Sequence, residues 1–182
     1  MKLKDAKHSS DQTYLAEVDW EQTQAYSIGL AGIFVNQKGR EGQGIVARGS
    51  ETASLVKELC QKLTGLHDDE KDCLAIRQAV ASGDVYQGPY TEAAPDVIIG
   101  YNVGYRVSWD AAVGKTGAEI FEDNVKAWSG DHCIHPDLVP GILFSNVPLR
   151  DGPANIIDMA PTTLDLLGVD KPAYMEGSSL HE

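Results

Sequence analysis

Apolar runs bounded by glycine or proline mark the predicted strands of this chain. Residues 25–36, AYSIGLAGIFVN, are rich in apolar and β-branched side chains and are broken by Gly29 and Gly32, which indicates two short strands or one kinked strand. Residues 95–101, PDVIIGY, form a short apolar run that starts at a proline and predict a strand suited to a buried parallel position. Residues 141–146, GILFSN, repeat this pattern and predict another buried strand of the same sheet.

Two segments carry the signals of a helix. Residues 50–63 form the clearest amphipathic pattern, with an N-cap candidate at Ser50 and Gly65 as the expected stop. The apolar positions of this segment are Leu55, Val56, Leu59 and Leu63. Residues 158–168, DMAPTTLDLLG, begin at a candidate cap, Asp158, tolerate a proline in the first turn and end at a glycine, so a second helix is predicted there.

Strand and helix signals alternate along the chain. Weaker strand candidates lie at residues 73–80 and in GYRVSW, residues 104–109. Strands interleaved with helices favour an α/β sheet that is covered on both faces. We therefore predict a single α/β unit over residues 1–182, with residues 1–17 as an irregular lead-in.

The length and composition suit a folded domain and argue against a nucleic acid polymer as partner. The chain has 182 residues, of which 42% are hydrophobic, enough to bury a core of its own. Its net charge is −12, from 27 acidic and 15 basic residues, and no basic stripe offsets that charge. A polyanion is therefore repelled, whereas a small phosphorylated substrate stays compatible because a bound divalent cation can dominate the local field.

The cysteines and the N-terminal pattern bear on the compartment. Cys60, Cys73 and Cys133 are far apart and form no CxxC pair, which fits neither a zinc ribbon nor a disulfide framework and slightly favours a reducing compartment. The N-terminal segment lacks the apolar stretch of an export signal, and no apolar run approaches the ~18 residues of a membrane helix. We expect no membrane span and slightly favour a cytoplasmic location, which stays open if this chain begins partway through a longer protein.

The candidate chemistry lies in AWSGDHCIHPDLVPGILFSN, residues 127–146, which places Asp131, His132, Cys133 and His135 within five positions. All four are metal-ligand types, but a metal site needs three or four converging ligands. The other histidines, which their neighbours do not mark as ligands, are His8, His67 and His181. Spacing alone favours a polar loop in which Asp131 holds His132 and Cys133 is a small buried hydrophobe. A self-contained site of these four residues and one corner of a larger site are the alternatives.

Two further motifs are weaker. QKGREGQG, residues 37–44, is rich in glycine and is compatible with a phosphate cradle. It lacks the GxxxxGK[ST] spacing, so a surface turn with solvated Lys38 and Arg40 is favoured. The serine, aspartate and histidine of SGDH are close only in sequence and no GxSxG elbow is present, so a Ser/His/Asp triad is not predicted.

Four segments carry a resemblance to a known family. They are VDWEQTQAYSIGLAGIFVNQKGREGQGIV, YQGPYTEAAPDVIIGYNVGYRVSWD, AWSGDHCIHPDLVPGILFSN and IIDMAPTTLDLLGVDKPAYMEGSSL. From Val18 to Leu180 the chain resembles the C-terminal part of the type I phosphodiesterase/nucleotide pyrophosphatase family, within the alkaline phosphatase superfamily. The last segment resembles a tail that sulfatases share, whereas KGRE and SGDHC, in this order, narrow the resemblance to the family.

The resemblance implies part of an alkaline-phosphatase-like three-layer α/β/α sandwich and two divalent metals, commonly zinc, beside a threonine or serine nucleophile. Family members gather their metal ligands from several stretches, and this chain matches only the last, so His132 is implied as one late metal ligand. The family's adjacent Asp-His pair precedes the segment resembling AYSIGLAGIFVNQKGRE, so Asp131 and His132 are not that pair. His135 stands where an aspartate is usual and Val103 where a polar residue is commoner, which leaves His135 without an assigned role.

The expected function follows from that resemblance. The parent protein is implied to be a phosphodiesterase or nucleotide pyrophosphatase acting on a small phosphoester or nucleotide-like substrate, with the N-terminal remainder of the catalytic domain as partner. No catalytic residue is assigned in this chain, and it is expected to be inactive alone because the nucleophile and most metal ligands lie elsewhere. The alternative is a non-catalytic α/β domain that keeps the fold without the chemistry.

Overall fold

A computed structural model of the chain describes residues 15, 18–115, 119–128 and 130–181. Of the predicted lead-in at residues 1–17, all but Leu15 lie outside this part of the chain. The chain divides into two units, Met1–Pro140 and Gly141–Glu182, and each unit has its own internal structure.

The first unit contains most of the regular secondary structure. Its elements are β1 Ala25–Ile28, β2 Gly32–Val35, α1 Ser50–Leu63, β3 His67–Asp68, β4 Cys73–Leu74, β5 Ile76–Ala81, α2 Ser82–Val85, β6 Val97–Tyr101 and α3 Trp109–Ala112, with short 3₁₀ turns at Thr91–Ala93 and Pro136–Leu138. The second unit contains a 3₁₀ turn at Ile156–Asp158 that runs directly into α4, Met159–Leu166. The chain is therefore a mixed α/β protein. None of the helices in the described ranges is long and apolar enough to cross a membrane.

One four-stranded sheet, in the order β1-β2-β6-β5, organises the first unit, and β3 and β4 form a separate two-stranded sheet. PDVIIGY is confirmed as a strand, since β6 covers most of it and Val97 and Ile99 are buried. The expected parallel position is wrong, because β6 pairs antiparallel with β2 on one side and with β5 on the other. An apolar run reports burial, and it carries no information about the direction of the neighbouring strands.

Of the two alternatives predicted for residues 25–36, two short strands or one kinked strand, the pair of strands is confirmed. β1 and β2 form an antiparallel hairpin, and Gly29 adopts a φ of +77° in the turn between them, a backbone conformation that glycine takes without steric cost. Gly32 is needed for a different reason. A Cβ there would come within 2.5 Å of the Pro95 ring, so the absence of a side chain lets β2 approach the segment that leads into β6.

Helix α1 has the bounds that its amphipathic pattern predicts, and Gly65 follows it with a φ of +79°. The predicted cap is wrong by one position, because Gly49 occupies the N-cap and Ser50 is the first helical residue. Glu51 instead accepts a hydrogen bond from the Ala47 N–H group at 2.9 Å, which ties the first turn to the preceding loop. The apolar face packs on the sheet through Val56, Leu59, Cys60 and Leu63, against a buried cluster of Ile76, Ala79, Val97 and Ile99.

Helix α4 of the second unit lies within its predicted range, and Gly168 follows its end with a φ of +68°. Asp158 occupies the predicted N-cap position, but its side chain forms no capping hydrogen bond to the helix. The Asp158 carboxylate accepts hydrogen bonds from the N–H groups of Asn155 and Ser178, both at 2.9 Å. Thr162 donates its hydroxyl to the Asp158 carbonyl at 2.6 Å and accepts from the Leu180 N–H at 2.9 Å. These hydrogen bonds attach residues 178–180, near the end of the chain, to the start of α4.

The remaining strand predictions had mixed outcomes. Residues 73–80 contain β4 and most of β5, as expected. GYRVSW is wrong as a strand, since it is irregular up to Ser108 and then enters α3. GILFSN is also wrong as a buried strand, because it is irregular, with Ile142 81% and Phe144 90% exposed. A strand needs a neighbour to pair its backbone groups, and within the described residues no backbone hydrogen bond reaches this segment.

Candidate functional site

The loop that carries the candidate ligands is fixed on one side by Asp131. Its carboxylate lies 3.1 Å from the Arg106 Nε atom and accepts a hydrogen bond from the Cys133 N–H group at 2.8 Å. The Arg106 guanidinium in turn lies over the Trp109 ring, 4.1 Å from its centroid. Both side chains of the ion pair are nearly buried. The pair therefore ties the loop to the chain segment just before α3.

Neither neighbour of His132, Asp131 or Cys133, is well suited to bind a metal, and the reasons differ. Burial alone raises the pKa of Asp131, but the Cys133 N–H group and the Arg106 charge outweigh it and hold that pKa below its usual range. The carboxylate is ionised and already neutralised by Arg106. Burial, together with the Asp131 charge, raises the pKa of the Cys133 thiol. At neutral pH the thiol is protonated, whereas metals bind the thiolate.

His135 fixes the other side of the same loop. Its N–H group donates to the Tyr101 carbonyl at 2.9 Å, and its Nε2 atom lies 3.0 Å from the Gln78 Oε1 atom. The Asp137 N–H group donates to Nδ1 at 3.4 Å. With Nδ1 as acceptor, Nε2 carries the proton and donates to Gln78. The ring is buried and both of its nitrogens are engaged, so the role of His135 is structural.

His132 lies between these two attachments and is exposed. Its side chain forms no hydrogen bond or ion pair with the described part of the chain. The proposed arrangement in which Asp131 holds the His132 ring is therefore absent, because the Asp131 carboxylate is directed to Arg106 instead. The imidazole is left accessible, on a loop whose neighbouring residues are fixed.

The self-contained four-residue site is not formed. Within residues 15, 18–115, 119–128 and 130–181, no three histidine, cysteine, aspartate or glutamate side chains come together in a way that could hold a metal ion. Asp131 pairs with Arg106, His135 contacts Gln78 and Cys133 keeps its proton. Of the four candidate ligands, His132 is therefore the one left with an accessible donor atom. A single imidazole is a suitable zinc ligand, and it is too little to retain zinc by itself.

The KGRE segment forms a partly buried charge cluster instead of a plain surface turn. Arg40 contacts Asp96 through both terminal nitrogens, with Nη1 3.1 Å from Oδ1 and Nη2 2.6 Å from Oδ2. Its Nε donates to Glu41 at 2.7 Å, and Nη2 also donates to the Val35 carbonyl at 2.8 Å. The hydrogen bonds to Asp96 and Glu41 raise the pKa of Arg40 further. The prediction of a solvated Arg40 is wrong, although Lys38 is exposed as expected.

This cluster also weakens the phosphate-cradle alternative for QKGREGQG. The Arg40 donors are directed to two carboxylates and a backbone carbonyl, and its side chain is only 21% exposed. An anion at Arg40 would have to displace carboxylates that already neutralise it. Arg40 therefore holds the loop after β2 to Asp96, just before β6.

Sequence reasoning missed the residues that support the loop. Arg106 lies 25 positions before Asp131, inside a segment whose apolar pattern predicted a strand, and no local signal links the two. Gln78 and Gly100 sit opposite each other on β5 and β6, so they meet His135 only because those strands pair. The one local indication was Arg106 itself, a charged residue inside the otherwise largely apolar segment GYRVSW.

Comparison of the chain with protein-family models, with curated proteins and with solved structures finds no match.

Proposed function

We propose that this chain is the C-terminal portion of a metal-dependent phosphodiesterase or nucleotide pyrophosphatase-like hydrolase and that His132 is one of its metal ligands. The observation that best supports the proposal is the exposed imidazole of His132, which has no partner among the described residues and lies between two fixed neighbours. A histidine that shares a metal ion with ligands from another segment needs such a position, because its ring must be accessible while its backbone is held in place. The resemblance of the SGDHC segment to the family supplies the chemical class.

In this proposal each residue of the loop has a separate task. His132 would offer a ring nitrogen to a zinc ion, and a bound pair of zinc ions would supply charge stabilisation for phosphoester cleavage. Asp131 and Arg106 fix the backbone on the N-terminal side of His132, and His135 with Gln78 fixes it on the other side. The remaining ligands and the nucleophile belong to the N-terminal remainder of the catalytic domain.

The proposal extends to the fold and the substrate of the complete protein. The small antiparallel sheet with α1 would be one part of a larger three-layer α/β/α sandwich. The excess of acidic residues disfavours a nucleic acid polymer, so the substrate class is a small phosphoester or nucleotide-like molecule whose charge the two metals offset.

The test requires both the isolated chain and the complete protein encoded by the in-frame upstream sequence. The isolated chain should not hydrolyse bis(para-nitrophenyl) phosphate with added zinc. In the complete protein His132→Ala should lower kcat/KM at least about 100-fold, since even the loss of an outer-shell partner costs about 10–100-fold. Bound zinc, measured by atomic absorption, should fall as well. His67→Ala is the matched control and should leave both quantities unchanged.

Two results would reject the proposal. One is metal-dependent turnover by the isolated 182-residue chain, since other residues would then supply the nucleophile and the site. The other is upstream sequence that encodes neither a nucleophile nor an Asp-His pair, which would favour a non-catalytic domain.

A further inference from the structure

An apolar cavity of about 320 Å³ lies within the first unit, away from the His132 side chain. The sheet contributes Ile33 and Ile99, the end of α1 contributes Leu63, and Phe121 lies among the residues that line the remaining wall. Ligand pockets in proteins start at about 300 Å³ and are mostly apolar with a few placed polar groups. The cavity meets both conditions.

The polar group that distinguishes this cavity is Tyr101, at the end of β6. The side chain lines the cavity, and within the described ranges its hydroxyl forms no hydrogen bond. Burial raises the pKa of Tyr101 above its usual range, so the hydroxyl is protonated at neutral pH and can donate as well as accept. An occupant with a hydroxyl of its own would give this group a partner.

The charges around the cavity favour a neutral occupant over an anion. Arg106 lines the cavity, but its charge is neutralised by Asp131 at 3.1 Å. Glu119 and Glu122 also line it, and Glu122 accepts the Ser108 hydroxyl at 2.5 Å. Among the described residues neither glutamate forms an ion pair, so both carboxylates repel a negatively charged molecule.

The aromatic side chains favour a flat ring. Tyr105 and Phe121 both line the cavity and stand edge to face, with ring centroids 5.9 Å apart and an interplanar angle of 71°. A planar aromatic molecule can join such a pair with the same edge-to-face or offset geometry. A benzene molecule fills an engineered cavity of about 150 Å³, so a space of about 320 Å³ accommodates about two fused rings.

We propose that this cavity is a binding site for a neutral aromatic molecule of about two fused rings that carries a hydroxyl group in hydrogen-bond contact with Tyr101. Every described residue that lines the cavity belongs to the first unit. The site is therefore independent of the proposed hydrolase function and can be tested on the isolated protein.

The experiment compares two probes that differ by one hydroxyl, β-naphthol and naphthalene, titrated by fluorescence into the purified chain. Tyr101→Phe keeps the ring and removes the hydroxyl, so β-naphthol should bind about three- to tenfold more weakly while naphthalene binds as before. Tyr90→Phe, at a tyrosine that is 85% exposed, is the matched control and should change neither affinity. Ala111→Trp places a large ring at the cavity wall and should weaken both probes at least tenfold.

Circular dichroism establishes that each variant is folded. Nuclear Overhauser contacts between β-naphthol and the Phe121 ring test the binding position directly in the unmodified chain. Such contacts, together with the selective effect of Tyr101→Phe, would support the site. Absence of binding up to the solubility limit of both probes would overturn it. Binding that Ala111→Trp leaves unchanged would overturn it as well, because the probe would then be held elsewhere. Equal weakening of both probes by Tyr101→Phe would reject the hydroxyl contact.

Discussion

The His135 ring lies so close to the backbone of Gly100 that a Cβ atom on Gly100 would come within 2.7 Å of the His135 Cδ2 atom. The two residues are 35 positions apart. Gly100 lies on β6, on the sheet face opposite Val97 and Ile99, because side chains alternate along a strand. The glycine thus provides the space in which the loop carrying His132 is attached to the sheet.

Gly100→Ala should displace the His135 ring and destabilise the first unit by about 1–3 kcal/mol, the usual cost of an extra carbon in a filled site. Urea denaturation followed by circular dichroism measures this loss. Gly83→Ala is the matched control, because a Cβ at that helical position has no heavy atom within 4 Å. It should be neutral or slightly stabilising. Equal midpoints for the two variants would show that the contact with His135 is not close.

The two histidines of the loop should respond differently to the same substitution. His135→Ala removes a buried ring and a hydrogen-bonded cap, and it should cost about 1–3 kcal/mol of unfolding free energy. His132→Ala removes an exposed ring without a described partner, so the change should stay within about 0.5 kcal/mol. Each variant is the control for the other, and thermal unfolding measures both. A large loss on His132→Ala would mean that His132 is a structural residue of the isolated chain.

The Arg40–Asp96 pair should be much more sensitive than its neighbour Lys38. Arg40→Ala leaves Asp96 without its cation at a side chain that is 14% exposed, and should destabilise the first unit by about 2–4 kcal/mol. Arg40→Lys should recover only part of this, because an ammonium group cannot contact both carboxylate oxygens in the same way. Lys38→Ala is the control and should lie within about 0.5 kcal/mol of the original chain. Chemical denaturation at low and high salt provides the measurement, and equal effects of Arg40→Ala and Lys38→Ala would refute the pairing.

The parts of the fold that were predictable are those whose signals are local. Residues 50–63 carry an apolar stripe and a following glycine, and the helix has those bounds. PDVIIGY is apolar enough to require burial, and it forms β6. GILFSN contains a similar short apolar run, but it lies in the second unit without a described strand to pair with. An apolar run therefore predicts a strand only where a neighbouring edge exists.

The supports of the candidate site were not predictable, because they depend on contacts between distant segments. Asp96 is 56 positions from Arg40, and the sequence around KGRE gives no indication that its arginine is partly buried and ion-paired. Gln78 and Gly100 reach His135 through the pairing of β5 with β6. The exposure of His132 was equally hidden, since exposure follows from where its neighbours are attached.

The second unit should lose stability in acid through Asp158. Hydrogen bonds from the Ser178 and Asn155 N–H groups hold the pKa of Asp158 below its usual value, so the unfolded chain takes up a proton at a higher pH than the folded chain. The stabilisation is therefore fully present above the unfolded pKa of about 4 and is lost as the pH falls through the lower folded pKa. Asp158→Asn should lower stability at neutral pH and flatten the dependence below about pH 4.

Hydrogen exchange of the amides at the start of α4 and in the tail after Gly177 reports this unit separately from the first. Protection of the Ser178 amide should fall in acid in the original chain and should be low at every pH in Asp158→Asn. Asp170→Asn, at an exposed aspartate of the same unit, is the matched control and should keep the original profile. An unchanged acid response in Asp158→Asn would assign the pH dependence to other carboxylates. It would also remove Asp158 as the residue that joins the tail to α4.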